Sequence, residues 1–238
     1  MKCKFCNKEK DLIKAHIIPY SFFKNVKGDD GRLFVVDDRE NSFKKRAFKG
    51  FYDEELVCRG CEGLFADCDN YAKKFFFDTK RDRQEFYENK PIADIYNKFN
   101  YDKLMLFFVS MLWRASASKH DSCKAVRLGK YQELAKQMIL SKKVSTSILS
   151  VILHRFTDKS GNIVRAPGKT RLNGFNYYGF HMSNFYADIK VDSQIPHGYL
   201  NNLSIKRGKP IIMTLLKFSE LKIVKSDNFK KIIEKIKK

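Results

Sequence analysis

Apolar residues recur at helical spacing in the middle of the chain. From Tyr101 to Lys119 they return every three or four residues, which predicts a helix with a buried face. The same period predicts a second helix over about Lys130 to Ser141 and an amphipathic one over Asp227 to Lys238. A helix with less regular apolar spacing is expected from Glu62 onward.

Beyond Val144 the pattern changes to short apolar runs, rich in β-branched and aromatic residues and separated by turn residues. Such runs predict strands, here of an antiparallel sheet: Ser147–Phe156, Ile163–Val164, Phe175–Met182, Asn184–Val191 and Pro210–Phe218. Nearer the N-terminus, Leu12–Ile18 and Leu33–Val36 predict short strands, and Asp29–Gly31 predicts a turn. The chain is therefore expected to be α+β.

This pattern predicts three parts. Residues 1–78 are expected to form an N-terminal head, and residues 79–98, which are charged and interrupted by Pro91, a connection. Residues 99–238 are expected to form a helical and antiparallel β domain. At 238 residues, with 43% hydrophobic residues, the chain has ample material for a core.

The net charge indicates more about possible partners than the rest of the composition does. The net charge of +20, from 47 Lys and Arg against 27 Asp and Glu, favours a polyanionic partner, and nucleic acid is the common one. Two alternatives are a lysine-rich surface that only aids solubility and, less favoured, an anionic membrane surface. The longest apolar run, Leu104–Trp113, is too short for a membrane span. The start, Met1–Lys4, lacks the apolar region of an export signal, so a cytoplasmic protein is expected.

Two CxxC pairs, Cys3 with Cys6 and Cys58 with Cys61, carry the candidate chemistry. The two-residue gap lets both sulfurs of a pair reach one ion from a tight turn, and four thiolates are the ligand set of a closed Zn²⁺ site. The alternatives are two disulfides or unrelated thiols. Zinc is favoured because the lysine-rich chain shows no export signal, and disulfides are rare in a reducing cytoplasm. The head is expected to need this zinc to fold.

Between the two pairs lies the run Ala15-His16-Ile17-Ile18-Pro19. A histidine at the end of a strand, beside a helix that carries a carboxylate, suits phosphodiester hydrolysis. Neutral imidazole accepts a proton from water because its pKa lies near neutral pH. A divalent ion would neutralise charge on the phosphate.

Together the cysteine pairs, this run and the segment Glu55–Glu62 resemble the zinc-stabilised branch of the HNH endonucleases. The resemblance covers about 75 residues and implies a ββα-metal head, in which a β-hairpin and a helix grip one catalytic ion. It implies that His16 is the general base. It places Asp53 where the family usually has an asparagine, and Glu62 where it has its final histidine.

The resemblance further implies hydrolysis of DNA with Mg²⁺ or Mn²⁺, which carboxylates such as those of Asp53 and Glu62 bind well. By analogy, such a nuclease often serves in bacterial defence against phage or mobile DNA. The alternative is a head that keeps its zinc and has lost catalysis, so that it binds nucleic acid or a protein partner. Ala15, where many relatives carry an acidic metal ligand, supports that alternative. RNA as the substrate, and a homo-oligomer, remain open.

The other charged residues, histidines and cysteines of interest are expected to have structural or surface roles. Asp67 and Asp69 are expected to be solvated helix charges, although either could assist the catalytic ion. Arg114, inside an apolar helix, is expected to pair with an internal carboxylate rather than a phosphate. The remaining histidines and cysteines share no ligand spacing and are expected to be ordinary core or surface residues: His120, His154, His181, His197, Cys68 and Cys123.

Overall fold

The computed structural model describes residues 1–24, 26, 34–35, 45–46, 50–145, 147–159 and 162–218. The helices are α1 (Ser21–Lys24), α2 (Arg59–Asp78), α3 (Tyr101–Ala117), α4 (Tyr131–Ser141) and α5 (Gly198–Leu203). The first six strands are β1 (Leu12–His16), β2 (Phe34–Val35), β3 (Lys45–Arg46), β4 (Tyr52–Cys58), β5 (Arg83–Tyr87) and β6 (Lys90–Tyr96). The other six are β7 (Leu149–Phe156), β8 (Ile163–Val164), β9 (Gly168–Leu172), β10 (Phe175–Ser183), β11 (Phe185–Val191) and β12 (Ile211–Leu216).

The predicted α+β class is confirmed, and α3, α4 and the main C-terminal strands lie close to their predicted bounds. The helix expected from Glu62 begins three residues earlier, at Arg59. The short helix α5 has no counterpart in the prediction. The turn predicted at Asp29–Gly31 and the helix predicted over Asp227–Lys238 lie outside the described residues.

Near the N-terminus, β1 and β4 form a two-stranded antiparallel sheet. Ala15 lies opposite Asp53, and His16 lies opposite Tyr52. β4 runs directly into α2, whose N-cap residue is Cys58. The start of β1 lies opposite Cys58, beside the junction of β4 with α2, whereas His16 lies at the other end of the hairpin. α2 packs against both strands.

Residues 79–98 are not a plain connection. They form the hairpin β5–β6, and β6 pairs with β12 at one side of the large sheet. Pro91 lies near the start of β6 in an edge hairpin, where a missing amide donor is tolerated. That residues 79–98 connect two domains stays a prediction. The hairpin is polar because much of it is exposed.

The large sheet has eight strands, in the order β5-β6-β12-β7-β11-β10-β8, with β9 also paired to β10. Most neighbouring pairs are antiparallel as predicted, but β12 runs parallel to β7. The sheet is therefore mixed. Its parallel pair joins strands from distant parts of the chain, and apolar alternation along a single strand does not report the direction of its neighbour.

The helix α3 lies at the centre of the core. Thirteen of its residues are buried, since α2, α4 and one face of the large sheet surround it. Trp113 packs against Phe5 and Phe65, at ring-centroid distances of 4.8 and 6.1 Å. One apolar cluster therefore includes side chains from both the predicted head and the predicted second domain. The domain division stays a prediction.

Gly179 in β10 marks a close approach within the sheet. A Cβ added there would lie 1.9 Å from the hydroxyl oxygen of Tyr186 on β11. We expect Gly179→Ala to destabilise the protein by about 1–3 kcal/mol, because the Tyr186 ring must move from its packed position. Urea denaturation measures the change. Gly63→Ala is the matched control: its Cβ meets nothing within 4 Å, so it should be neutral or slightly stabilising.

Candidate functional site

The four predicted zinc ligands lie together. Cys3 and Cys6 flank a tight turn, Cys58 ends β4 and Cys61 lies in the first turn of α2. Their sulfur atoms are all within 4.8 Å of one another, and three of the four residues are buried. All six cysteines of the chain are free, so the disulfide alternative is not observed. This cysteine cluster could hold a metal ion.

The backbone around the cluster favours a thiolate. Burial would raise the pKa of Cys3, but hydrogen bonds from the backbone amides of Cys6, Cys58 and Phe5 outweigh it and lower the pKa to about 6. Burial raises the pKa of Cys61, and hydrogen bonds with the neighbouring cysteines raise it further. The turn and the α2 N-terminus thus supply amide donors that stabilise negative charge on sulfur.

His16 lies at the C-terminal end of β1, as predicted. Its ring is half-buried, with the Tyr20 ring at 5.7 Å and the Tyr52 ring at 6.2 Å between centroids. Its backbone carbonyl accepts a hydrogen bond of 2.8 Å from a guanidinium nitrogen of Arg114. The ring is therefore held at the edge of the β1–β4 sheet, next to α2.

Arg114 is completely buried, and the prediction that it pairs with an internal carboxylate is confirmed. Its two terminal nitrogens donate to the two carboxylate oxygens of Asp69, at 2.9 and 2.8 Å. Burial would lower the pKa of Arg114, but the Asp69 charge outweighs it and raises the pKa, so the guanidinium stays charged. Because Arg114 also donates to His16, this pair ties α3, α2 and the end of β1 together.

The two aspartates of α2 differ. Asp67 is exposed and paired with Lys103 at 2.9 Å, so it is the solvated helix charge that was predicted. The same prediction is wrong for Asp69, whose side chain is only 17% exposed and bonded to Arg114. Asp69 lies seven residues after Glu62, and that spacing places both on one helix face. Together with the lone charge of Arg114 in an apolar helix, this spacing is the sequence signal for a shared site.

Glu62, in the first turn of α2, is largely buried. Its Oε2 atom has no hydrogen-bond partner among the described residues. Burial raises the pKa of Glu62, while the charge of Arg114 opposes the shift and that of Asp69 adds to it. Glu62 thus lies within electrostatic reach of the Asp69–Arg114 pair, directly after the cysteine cluster.

Asp53 is placed differently from the other predicted site residues. Its carboxylate accepts hydrogen bonds from the Ser118 hydroxyl at 2.7 Å, the Lys119 amide at 3.2 Å and the Glu55 amide at 2.7 Å. Burial would raise the pKa of Asp53, but these bonds outweigh it and lower the pKa. They therefore stabilise the fold at neutral pH and are lost on acidification. Asp53 fastens β4 to the end of α3, and its role in catalysis stays a prediction.

Removing the charge of Asp69 tests the buried pair. We expect Asp69→Asn to destabilise the protein by about 3–5 kcal/mol, because the fully buried Arg114 loses its counter-charge. Thermal or urea unfolding measures the effect. Asp67→Asn is the matched control on the exposed side of the same helix, and its effect should be below about 1 kcal/mol. Equal effects of the two substitutions would contradict the proposed importance of the buried pair.

The remaining histidines divide between core and surface, in line with prediction. His154 and His181 are buried in the large sheet, where His154 contacts Thr214 and Asp188, and His120 and His197 are exposed.

No protein-family model matches the chain, and no curated protein or solved structure is significantly similar to it. In the part of the chain that is described, every helix is too short or too polar to cross a membrane.

Proposed function

We propose that this protein is a metal-dependent endonuclease of the HNH type that hydrolyses DNA phosphodiester bonds. The observation that carries the proposal is that His16, at the end of β1, lies beside the Asp69–Arg114 pair, and that Glu62 lies within electrostatic reach of the same pair. Arg114 links Asp69 to the His16 backbone. The Asp69–Arg114 pair thereby links a proton acceptor to the helix that carries Glu62, whose Oε2 has no hydrogen-bond partner among the described residues. The elements come in the order strand, strand, helix that the HNH resemblance implies.

Zinc is the metal that the cysteine cluster fits best. In a tetrahedral site with Zn–S bonds of about 2.3 Å, the sulfurs are about 3.8 Å apart, within the 4.8 Å limit for these four atoms. Four cysteines complete the coordination and leave no open position, so this ion would be structural. Holding Cys3 and Cys58 together, it would fix β4 and α2 and thus the position of Glu62.

For the reaction itself, we assign His16 as the general base that accepts a proton from the attacking water. Mg²⁺ or Mn²⁺, when bound, would neutralise charge on the phosphate and on the leaving oxygen. Glu62 would hold that ion, since its Oε2 is buried without a hydrogen-bond partner among the described residues and hard ions prefer carboxylate oxygen. The Asp69–Arg114 pair would act through position, by fixing the end of β1 against α2.

DNA is the proposed substrate because of charge near His16. The net charge is +20, and the Lys14 ammonium lies 3.4 Å from the centre of the Tyr52 ring, which also lies beside His16. Lys14 is paired with Glu54 at 3.5 Å, an exposed ion pair that a phosphate can replace. A cation two residues before the general base could contact a phosphate next to the one that is cleaved. Defence against phage or mobile DNA would be one use of such an activity.

A second candidate is a zinc-stabilised module that binds nucleic acid or a protein partner without cleaving. Two observations favour it: Ala15 is buried and offers no ligand, and both oxygens of Asp53 are used in hydrogen bonds. The catalytic ion would then have Glu62 as its main ligand from this chain. The two candidates differ in whether DNA is cut.

Nicking of supercoiled plasmid by the full-length protein tests the proposal. Conversion to the open-circular form is expected with added Mg²⁺ or Mn²⁺ and not with EDTA. Metal content is measured after the EDTA arm, so that loss of the structural ion is recognised. Salt-sensitive retardation of plasmid without nicking by any ion would favour the binding module, and parallel digestion of a structured RNA distinguishes the two nucleic acids.

A further inference from the structure

A cavity of about 260 Å³ lies on the large-sheet side of the molecule. Its walls come from the start of α3, the first residues of β7, the end of β11, and the segments on both sides of α5. None of the residues just assigned to the nuclease reaction lines it. Its volume is slightly below the usual range for small-molecule sites, which begins at about 300 Å³.

Charge distinguishes this cavity. Three cations line it, Lys190, Lys206 and Arg207, and none of its described lining residues is acidic. Lys190 is 1% exposed and its ammonium is held by Asp192 at 2.5 Å, while Arg207 forms a two-point ion pair with Asp102. Lys206 has no ion-pair partner among the described residues. The cavity therefore carries two fixed cations and one positive charge without a counter-charge.

The other lining groups suit an organic ligand. The polar residues Ser147, Ser150, Gln194, Asn201 and Ser204 also line the cavity, and the hydroxyls of Ser150 and Ser204 are hydrogen-bonded to each other at 2.7 Å. The ring of Tyr101 also lines it and is held under the Arg207 guanidinium, 4.5 Å from the ring centre. A rigid aromatic wall beside hydrogen-bonding and cationic groups matches a molecule with a ring or apolar body and an anionic end.

We propose that this cavity binds a small organic anion, in which a phosphate or carboxylate contacts Lys206 and the body of the molecule lies against Tyr101. Phosphate and carboxylate share the required chemistry, a compact oxyanion that accepts from ammonium and hydroxyl donors. Lys190 and Arg207 would shape the site through their fixed ion pairs. Lys206 would supply the charge that the ligand balances.

Isothermal titration of the full-length protein tests the proposal with a panel of defined probes. AMP and CMP test a phosphate on a ring-bearing body, citrate tests carboxylates, inorganic phosphate tests the oxyanion alone, and adenosine lacks the charge. At least one anion is expected to bind in the micromolar to millimolar range. Failure of every anion to bind at about 10 mM, or adenosine binding as tightly as AMP, would overturn the proposal.

A matched pair of charge reversals locates the binding. Lys206→Glu is expected to weaken the anion about tenfold, whereas Lys209→Glu, an exposed lysine three residues on and outside the cavity, should change it less than about twofold. Lys206→Gln serves as a second variant if the reversal lowers stability. Equal effects at the two positions would overturn the assignment. His16→Ala should leave anion binding unchanged, so failure here is distinguishable from failure of the nuclease proposal.

Discussion

Replacing Cys58 with serine is expected to remove the bound metal and to unfold the N-terminal region. A structural zinc site of four cysteines contributes on the order of 10–16 kcal/mol, as much as the whole stability of a typical domain. Cys58 lies at the junction of β4 and α2, so its loss releases both elements. Because Phe5 packs on Trp113 at 4.8 Å, the damage should reach α3.

The measurements are metal content per chain by mass spectrometry and thermal unfolding followed by circular dichroism. Cys68→Ser is the matched control, since Cys68 is also buried on α2 but is outside the cysteine cluster and donates to the Phe65 carbonyl, a bond that serine can replace. The control should keep its metal and melt close to the wild type. If the Cys58 variant keeps one tightly bound metal ion and its melting temperature, the structural site is not where we assign it.

His16→Ala is expected to reduce plasmid nicking by about 10²- to 10⁴-fold, the usual contribution of a general base. The fold should survive, because His16 is half-buried and its contact with Arg114 is made through the backbone carbonyl, which alanine retains. Metal content and unfolding temperature should therefore match the wild type. Initial nicking rates at saturating Mg²⁺ measure the effect.

His197→Ala, at an exposed position by α5, is the matched control and should nick at the wild-type rate. Glu62→Gln adds a second readout. If Glu62 holds the ion, this variant should need a higher Mg²⁺ concentration for half-maximal rate and keep its structural metal. Equal nicking by wild type and His16→Ala would show that the activity comes from a contaminant or from another residue, and it would refute the assignment of His16.

Much of the secondary structure is predictable from the sequence because each element repeats its apolar residues at its own period. α3 and the strands β7, β8, β10, β11 and β12 follow from that rule. The polar strand β9 is not predicted, and α5, only six residues long, is too short to show a period. The hairpin β5–β6 is not predicted from the sequence, for a different reason. β5 and the start of β6 are half-buried or exposed, so their polar residues resemble a linker, and pairing with β12 makes the hairpin part of the sheet.

The cysteine cluster is the part of the site that local spacing predicts. Each CxxC turn places two sulfurs together, and the chemistry of four thiols indicates that the turns meet, although 51 residues separate them. The position of His16 at the end of a strand is local in the same way. Each turn and the end of the strand depend on contacts within a few residues, whereas the meeting of the two turns is predicted from ligand chemistry and is confirmed by the tertiary structure.

Only the tertiary structure decides which distant groups become partners. Asp69 and Arg114 are separated by 45 residues and meet because α3 packs against α2. Asp53 and Ser118 are separated by 65 residues and meet because the end of α3 lies beside β4. Hydrophobic periodicity predicts which face of a helix or strand is buried. It does not predict which charged residue of another element will lie against that face. A buried charge must find a partner, so the sequence predicts an acceptor for Arg114 and favours a carboxylate, and the packing of α3 against α2 makes that carboxylate Asp69.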